Sequence, residues 1–155
     1  SRIVAEVLIK LVEAEKPDLV LMGKQAVDGD SNQVGQLLAG KLGLPQATFA
    51  SELEVNGAVA KVTREVDAGL EVIEVDLPAV VTVDLRLNEP RFIKLPDIMK
   101  AKSKPLETIA LDALGVETGD HHSVSKYAPP PKRSKGVMVK DVPELVAALK
   151  AKGLL

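Results

Sequence analysis

Cysteine is absent from the 155 residues, which removes disulfides, thiolate nucleophiles and the usual zinc or iron–sulfur ligand sets together. A reducing compartment is compatible with that absence. Tryptophan is also missing and aromatics make up only 2%, so stacking platforms for single-stranded nucleic acid are hardly available. No apolar run approaches the ~20 residues needed to span a bilayer, and the first residues lack the basic-then-apolar layout of a signal peptide. A soluble intracellular protein is expected. Nor is there an excess of either sign: 20 basic residues stand against 22 acidic ones, for a formal net charge of −2. Neither nucleic acid nor an anionic membrane is favoured as the main partner.

What is present reads as α/β. Ile3, Val4, Val7, Leu8, Leu11 and Val12 recur at helical spacing almost from the first residue, and Pro17 stops that helix. Asp18-Leu19-Val20-Leu21-Met22-Gly23 then reads as a strand apolar on both faces, the mark of a buried parallel sheet. Gln33 to Leu42 form a second helix, with Val34, Leu37, Leu38 and Leu42 on one side and Gly43 and Pro45 at its end. Two strand-like runs follow, Thr48 to Val55 and Val59 to Val66, joined by the hairpin signal Asn56-Gly57. Gly69 to Asp76 is a further strand, and Ala79-Val80-Val81-Thr82-Val83 a second buried one. Helix, strand and antiparallel ribbon are expected to share one sheet.

Beyond Lys104 the texture changes to short apolar pieces, a turn from Glu117 to Ser123 and the run Pro129-Pro130-Pro131. Such a stretch cannot build a core alone. It ends in an amphipathic helix, Val142 to Lys152, with Leu145, Val146 and Leu149 on one face and Gly153 as its stop. Two parts are therefore expected: an α/β domain over residues 1–104, and an arm over 105–155 that packs on something else.

Candidate chemistry concentrates in Gly23-Lys24-Gln25-Ala26-Val27-Asp28-Gly29-Asp30-Ser31-Asn32-Gln33-Val34-Gly35, which runs from the carboxyl end of a buried strand into a helix amino terminus. Ligands of open α/β sheets lie in that position. Gly29 and Gly35 would let backbone approach a ligand, and the amides around Asn32, Gln33 and Val34 would point at an anion. A phosphate fits. The plainer reading is that Asp30 or Ser31 caps the helix, and since neither a Walker loop nor the spaced dinucleotide glycines are present, residues alone favour the cap. Asp28 and Asp30 would repel a phosphate they faced, so they shape the turn or reach a ribose hydroxyl.

Other constellations are weaker. His121-His122 are adjacent and point apart, a poor metal pair, and read as solvated loop residues. Glu65 and Asp67 could pair as carboxylates, but no base or apolar pocket is visible to tune them, and a salt-bridged turn is the better account. Serines occur without an interpretable histidine or acid partner. No catalytic residue and no metal site is assigned.

The segment from Val83 to Lys102 leaves a β-branched strand and then sets apolar residues among charges. Pro90 and Pro96 break the chain and hold the residues before them extended, and Pro96 suits the start of a short helix. Leu95, Ile98 and Met99 interleave with Lys94, Lys100, Lys102 and Lys104. A solvated amphipathic face is the default reading, but a protein contact with an apolar anchor and steering lysines fits the same pattern.

These residues resemble a known family. Val81-Thr82-Val83-Asp84-Leu85-Arg86-Leu87-Asn88-Glu89-Pro90-Arg91-Phe92, followed by Leu95-Pro96-Asp97-Ile98-Met99-Lys100-Ala101-Lys102, is similar to the signature of the electron transfer flavoprotein beta subunit. Gly23-Lys24-Gln25-Ala26 with Asp28 to Gly35, Pro45-Gln46-Ala47-Thr48-Phe49-Ala50, and Arg64-Glu65-Val66-Asp67-Ala68-Gly69-Leu70-Glu71 match in the same order. The resemblance covers nearly the whole chain and is loosest between Glu117 and Lys135.

The resemblance implies a Rossmann-like, mostly parallel sheet with a β-hairpin, of the adenine-nucleotide alpha-hydrolase type, plus an extended C-terminal arm. It implies that Gly23, Lys24, Gln25, Ala26, Val27, Asp28, Gly29, Asp30, Ser31, Asn32, Gln33 and Val34 line a structural AMP site, with the last four at the phosphate. It implies that Leu95 anchors a recognition loop for partner dehydrogenases, supported by Pro96, Ile98, Met99 and Lys100. Lys100 falls where animal members carry a methylated lysine, while Ser103 replaces the second such lysine. Glu65 falls where the family contacts the mobile flavin domain of the alpha subunit, and the arm with its final helix falls where the family wraps that subunit. FAD is then held mainly by the alpha subunit, AMP rather than a second FAD occupies this one, and neither a nucleic acid partner nor membrane insertion is implied.

The implied role is that of a non-catalytic subunit of an electron carrier, passing electrons from flavin dehydrogenases such as acyl-CoA dehydrogenases to a quinone oxidoreductase. The implied location is the cytoplasm if the source is bacterial and the mitochondrial matrix if it is eukaryotic. Family members are longer at the amino end, so the sequence is expected to be a fragment, whose two buried-type strands would otherwise expose unpaired edges. From the residues alone, a universal-stress-type nucleotide-binding sensor without a redox role stands as the alternative, with an adenine-nucleotide hydrolase third.

Overall fold

The computed structural model describes residues 1–119 and 123–155. The histidine pair at 121–122 and part of the turn expected at 117–123 lie outside the described residues. Two compact units are present, residues 1–119 and 120–155. The first therefore continues past residue 104 through a short 3-10 turn, Leu111–Leu114, which lies against the first helix.

That first helix, α1, spans Arg2–Glu15 and buries Ala5 and Ile9. It ends as Lys16 turns left-handed at φ 47°, its N–H on the Val12 carbonyl at 2.8 Å. Pro17 follows, and it has no N–H with which to continue the ladder. Strand β1, Leu19–Gly23, leads to helix α2, Val34–Leu42, which closes on Gly43 at φ 65° as the sequence predicts. Strands β2 (Gln46–Asn56), β3 (Val59–Val66), β4 (Gly69–Asp76) and β5 (Ala79–Val83) complete the sheet.

The strand order is β1-β5-β2-β3-β4. β5 pairs in parallel with both β1 and β2, and β3 runs antiparallel to both β2 and β4, so four of the five strands point the same way. Asn56 still pairs with Val59, which makes the hairpin loop Gly57-Ala58, one residue beyond the Asn-Gly pair, with Gly57 at φ 60°.

Successive residues of β5 point to opposite faces and are buried on both. Val80 joins Ile9, Leu38 and Ala39 beneath the helices, while Val81 packs with Ala47, Ala50, Ala60 and Val62 on the other side. Lys41 of α2 bonds Glu6 of α1, tying the two helices together above the first cluster, and that contact lowers the pKa of Glu6.

β1 pairs only with β5 among the described residues, and Leu21 is 50% exposed although its run is apolar on both faces. That is the exposed face and unpaired edge that sequence reading expects of a buried-type strand without a second neighbour.

Past β5, helix α3 spans Leu95–Lys102, one residue earlier than the expected start at Pro96, and buries none of its residues. In the second unit, helix α4 spans Val142–Ala151 and is closed reciprocally: Asp141 Oδ1 accepts from the Glu144 N–H at 2.8 Å, and Glu144 Oε2 accepts from the Lys140 N–H at 2.7 Å. No residue of α4 is buried. No helix among the described residues is long and apolar enough to cross a membrane.

Candidate functional site

The parallel pairing brings the carboxyl ends of β1 and β5 side by side, Gly23 opposite Val83, and the Lys24 N–H continues the ladder onto the Val83 carbonyl at 3.0 Å. The chain then turns away from the sheet and returns as α2. A recess of 520 Å³ lies in that turn, within the range of about 300–1,000 Å³ usual for small-molecule sites. Gly23, Lys24, Gln25, Ala26, Asp28, Gly29, Ser31, Asn32, Gln33 and Val34 line it, together with Ser1, Val4 and Met22. Val27 and Asp30 do not. They face a second recess of 370 Å³ on the other side of Lys24 and Gln25, shared with Val83, Asp84 and Leu85. Ser1 and Val4 escape sequence reading because only the fold brings α1 beside this turn.

Neither Asp30 nor Ser31 caps α2. Gln33 occupies the cap position without a side-chain bond, which corrects the cap reading that residues alone favour. Asp30 instead accepts from Gln25 Nε2 at 2.7 Å and donates its own N–H to the Ala26 carbonyl at 2.9 Å, closing the turn at φ 45°. Ser31 Oγ donates to the Gly29 carbonyl at 3.4 Å, and Asn32, at φ 48°, is held through its Oδ1 by Gln36 Nε2 at 3.2 Å. Asn32, Gln33 and Val34 line the recess at the start of α2, whose cap makes no side-chain bond and whose first amides carry the positive end of the helix dipole. Uncharged donors around an uncapped helix start suit a phosphate.

Gly35 has a different task from the one its place in the motif suggests. A Cβ there would lie 2.3 Å from Thr82 Cγ2 and 3.4 Å from Met22 Sδ, so glycine lets α2 settle onto β5 and β1. Backbone approach to a ligand is not what requires it. Gly29 meets no such obstacle.

A chain of charges runs from this turn along the ends of the strands. Lys24 Nζ donates to Asp84 Oδ2 at 2.7 Å and sits 5.2 Å above the Phe49 ring, a cation–π distance. Phe49 itself is at φ 59°, where β2 bulges, and its N–H donates to Thr82 Oγ1 at 3.3 Å. Asp84 is 5% exposed. Its other oxygen accepts Arg86 Nε at 2.7 Å and the Arg86 N–H at 3.1 Å. Arg86 then grips both oxygens of Glu65 with its two terminal nitrogens. The Asp84 carboxyl is held well below the usual carboxylate range, chiefly by the Arg86 guanidinium and next by Lys24. Arg86 is raised by Glu65 and then Asp84, and Glu65 is lowered by Arg86.

Sequence reading places Glu65 in a salt-bridged turn without naming its partner. The structure gives it a partner 21 residues away. Lys24, Asp84 and Arg86 were legible as residues of the two matching motifs, but their mutual contact depends on the β1–β5 register.

Leu95, Pro96, Ile98, Met99 and Lys100 all lie on α3, where Leu95 is 71% exposed, Met99 61% and Ile98 43%. Among the described residues no group of three or more histidine, aspartate or glutamate side chains could hold a metal ion.

The family model described as the electron transfer flavoprotein domain matches residues 1–114. A protein of Bradyrhizobium diazoefficiens called electron transfer flavoprotein subunit beta is 54% identical over 147 residues, covering 95% of this chain and 59% of its own length. The human protein of the same name is 55% identical over 150 residues, covering 97% and 59%. A protein of Arabidopsis thaliana, electron transfer flavoprotein subunit beta, mitochondrial, is 51% identical over 149 residues, with 95% and 59% covered. The chain thus spans about three-fifths of the length of these relatives.

Proposed function

Since the chain belongs to the electron transfer flavoprotein family, we propose that it serves as the beta subunit of such a carrier, with an alpha subunit as its permanent partner. It catalyses nothing itself. The recess at the ends of β1 and β5 holds AMP as a structural ligand: Ser31, Asn32, Gln33 and Val34 surround the phosphate with neutral donors, and Gly23, Lys24, Gln25, Ala26, Asp28 and Gly29 line the remainder. The donor set supports this reading, because the helix start is uncapped and Asp30 is turned to Gln25. FAD, held mainly by the alpha subunit, supplies the redox chemistry.

Docking falls to α3. Leu95 enters a pocket on a flavin dehydrogenase, such as an acyl-CoA dehydrogenase, while Pro96, Ile98 and Met99 shape the anchor and Lys100 lies at its rim. Glu65 meets the flavin-bearing part of the alpha subunit, and the segment from 105 to 155 packs on that subunit. Electrons leave to a quinone oxidoreductase. The relatives come from bacteria and from eukaryotes, one of them named mitochondrial, so the compartment is the cytoplasm or the mitochondrial matrix according to source.

The observations that carry this reading are a proline-started helix that buries nothing and a nucleotide-sized recess, in a chain half identical to named beta subunits. A universal-stress-type sensor would share the recess but would have no use for an exposed α3. Native mass spectrometry of the full-length protein purified with whatever accompanies it decides between them. A yellow complex with a larger chain, carrying one FAD and one AMP, is expected. A colourless homodimer loaded with ATP would overturn the proposal.

A further inference from the structure

We propose that Asp84 and Arg86 are positioning residues that join the nucleotide turn to Glu65, so that the carboxylate offered to the alpha subunit is held in place from within this chain. The inference rests on the reading of Glu65 given above. Glu65 stands at the end of β3, and its side chain is 46% exposed, as is proper for a contact residue, but a glutamate that free would sample many rotamers. Arg86 removes that freedom. Its planar fork takes both Glu65 oxygens at once, and its Nε is left to reach Asp84 at 2.7 Å.

Arg86 would be mobile in its turn were it not for Asp84. That carboxylate is almost fully buried and accepts three hydrogen bonds, two from Arg86 and one from Lys24. Lys24 is fixed by Phe49 and by the backbone bond that extends β1. Four side chains of alternating sign thus form a neutral strap from the wall of the recess to the surface. A lysine at position 86 would keep the charge but could not grip one carboxylate with two nitrogens while reaching another.

The test uses the complex of the full-length chain with its alpha subunit, and reads the rate at which a reduced acyl-CoA dehydrogenase reduces the FAD. Glu65→Gln, Arg86→Gln, Arg86→Lys and the double variant Glu65→Gln/Arg86→Gln are compared, with melting temperature and AMP content measured alongside. Each single glutamine variant should slow transfer roughly tenfold, short of the hundredfold that a displacement of about 1 Å costs in a tightly organised site. The double variant should be no slower than either, and Arg86→Lys should fall between parent and Arg86→Gln.

A residue that merely stabilised the fold would multiply its effect with that of Glu65→Gln, and this outcome overturns the proposal. Slow transfer in Glu65→Gln with parental rates in both Arg86 variants overturns it too, while leaving the Glu65 contact intact. Parental transfer in Glu65→Gln removes that contact and the inference with it. Arg86→Lys, at a half-exposed position, keeps the test open should Arg86→Gln fail to assemble.

Discussion

Asp84 accepts three hydrogen bonds from two cations' side chains and one backbone amide while lying almost out of solvent. Its carboxyl is therefore held well below the usual range, first by Arg86 and then by Lys24. A carboxyl whose folded pKa is depressed contributes stability that is fully present above the unfolded value, about 3.9 for aspartate, and is lost as pH falls from there toward the folded pKa. In that window the unfolded chain binds a proton that the folded chain refuses. Glu65, lowered by Arg86, adds in the same direction. Urea denaturation at about pH 5 and about pH 3 should show the parent losing stability more steeply than Asp84→Asn, since the variant lacks the carboxyl at position 84 while keeping the others. Parallel losses in the two proteins would mean that Asp84 is not held as described.

At the scale of elements, α3 is a helix that buries none of its own apolar residues. It opens with Leu95 and Pro96, keeps Asp97 in the first turn and Lys100 and Lys102 in the last, and so satisfies its own dipole without burying a residue. Leu95→Ala should consequently leave the unfolding free energy within about 0.5 kcal/mol of the parent, as surface substitutions do. It should weaken reduction of FAD by several dehydrogenases while AMP and FAD contents stay unchanged. Reduction kinetics equal to the parent with all donors would remove Leu95 from the docking surface. Most elements were legible in this way: period and punctuation give α1, α2 and the four later strands to within a residue or two. β1 was legible as a strand of the buried type, and its half-exposed Leu21 is the apolar face such a strand shows with one neighbour present. The recess was legible as a turn of the right residues, whereas the strap was not. Lys24 meets Asp84, and Arg86 meets Glu65, through strand register, which no local pattern encodes.

For the molecule as a whole, the contrast between its two parts is one of burial. Residues 1–119 carry both core clusters, whereas residues 123–138 have no regular structure and are exposed throughout, and α4 beyond them buries nothing. Lys126, Lys132, Arg133 and Lys135 all fall in that stretch. A protease needs an extended, accessible backbone, which the ordered strands deny it and this stretch supplies. Trypsin acting on the chain alone should therefore cut first at these four residues and at Arg91 and Lys94, whose stretch ahead of α3 is equally irregular and exposed, before any site in α1, α2 or the sheet. If residues 123–138 pack along an alpha subunit, their bonds should be cut more slowly in the complex, because ordering on a partner withdraws the backbone from the protease. Early cleavage within α1, α2 or the strands would mean that the sheet unit opens more readily than its burial implies. Equal cleavage of the stretch with and without the alpha subunit would leave the apolar face of α4, with Leu145 and Val142 exposed, in want of a different partner.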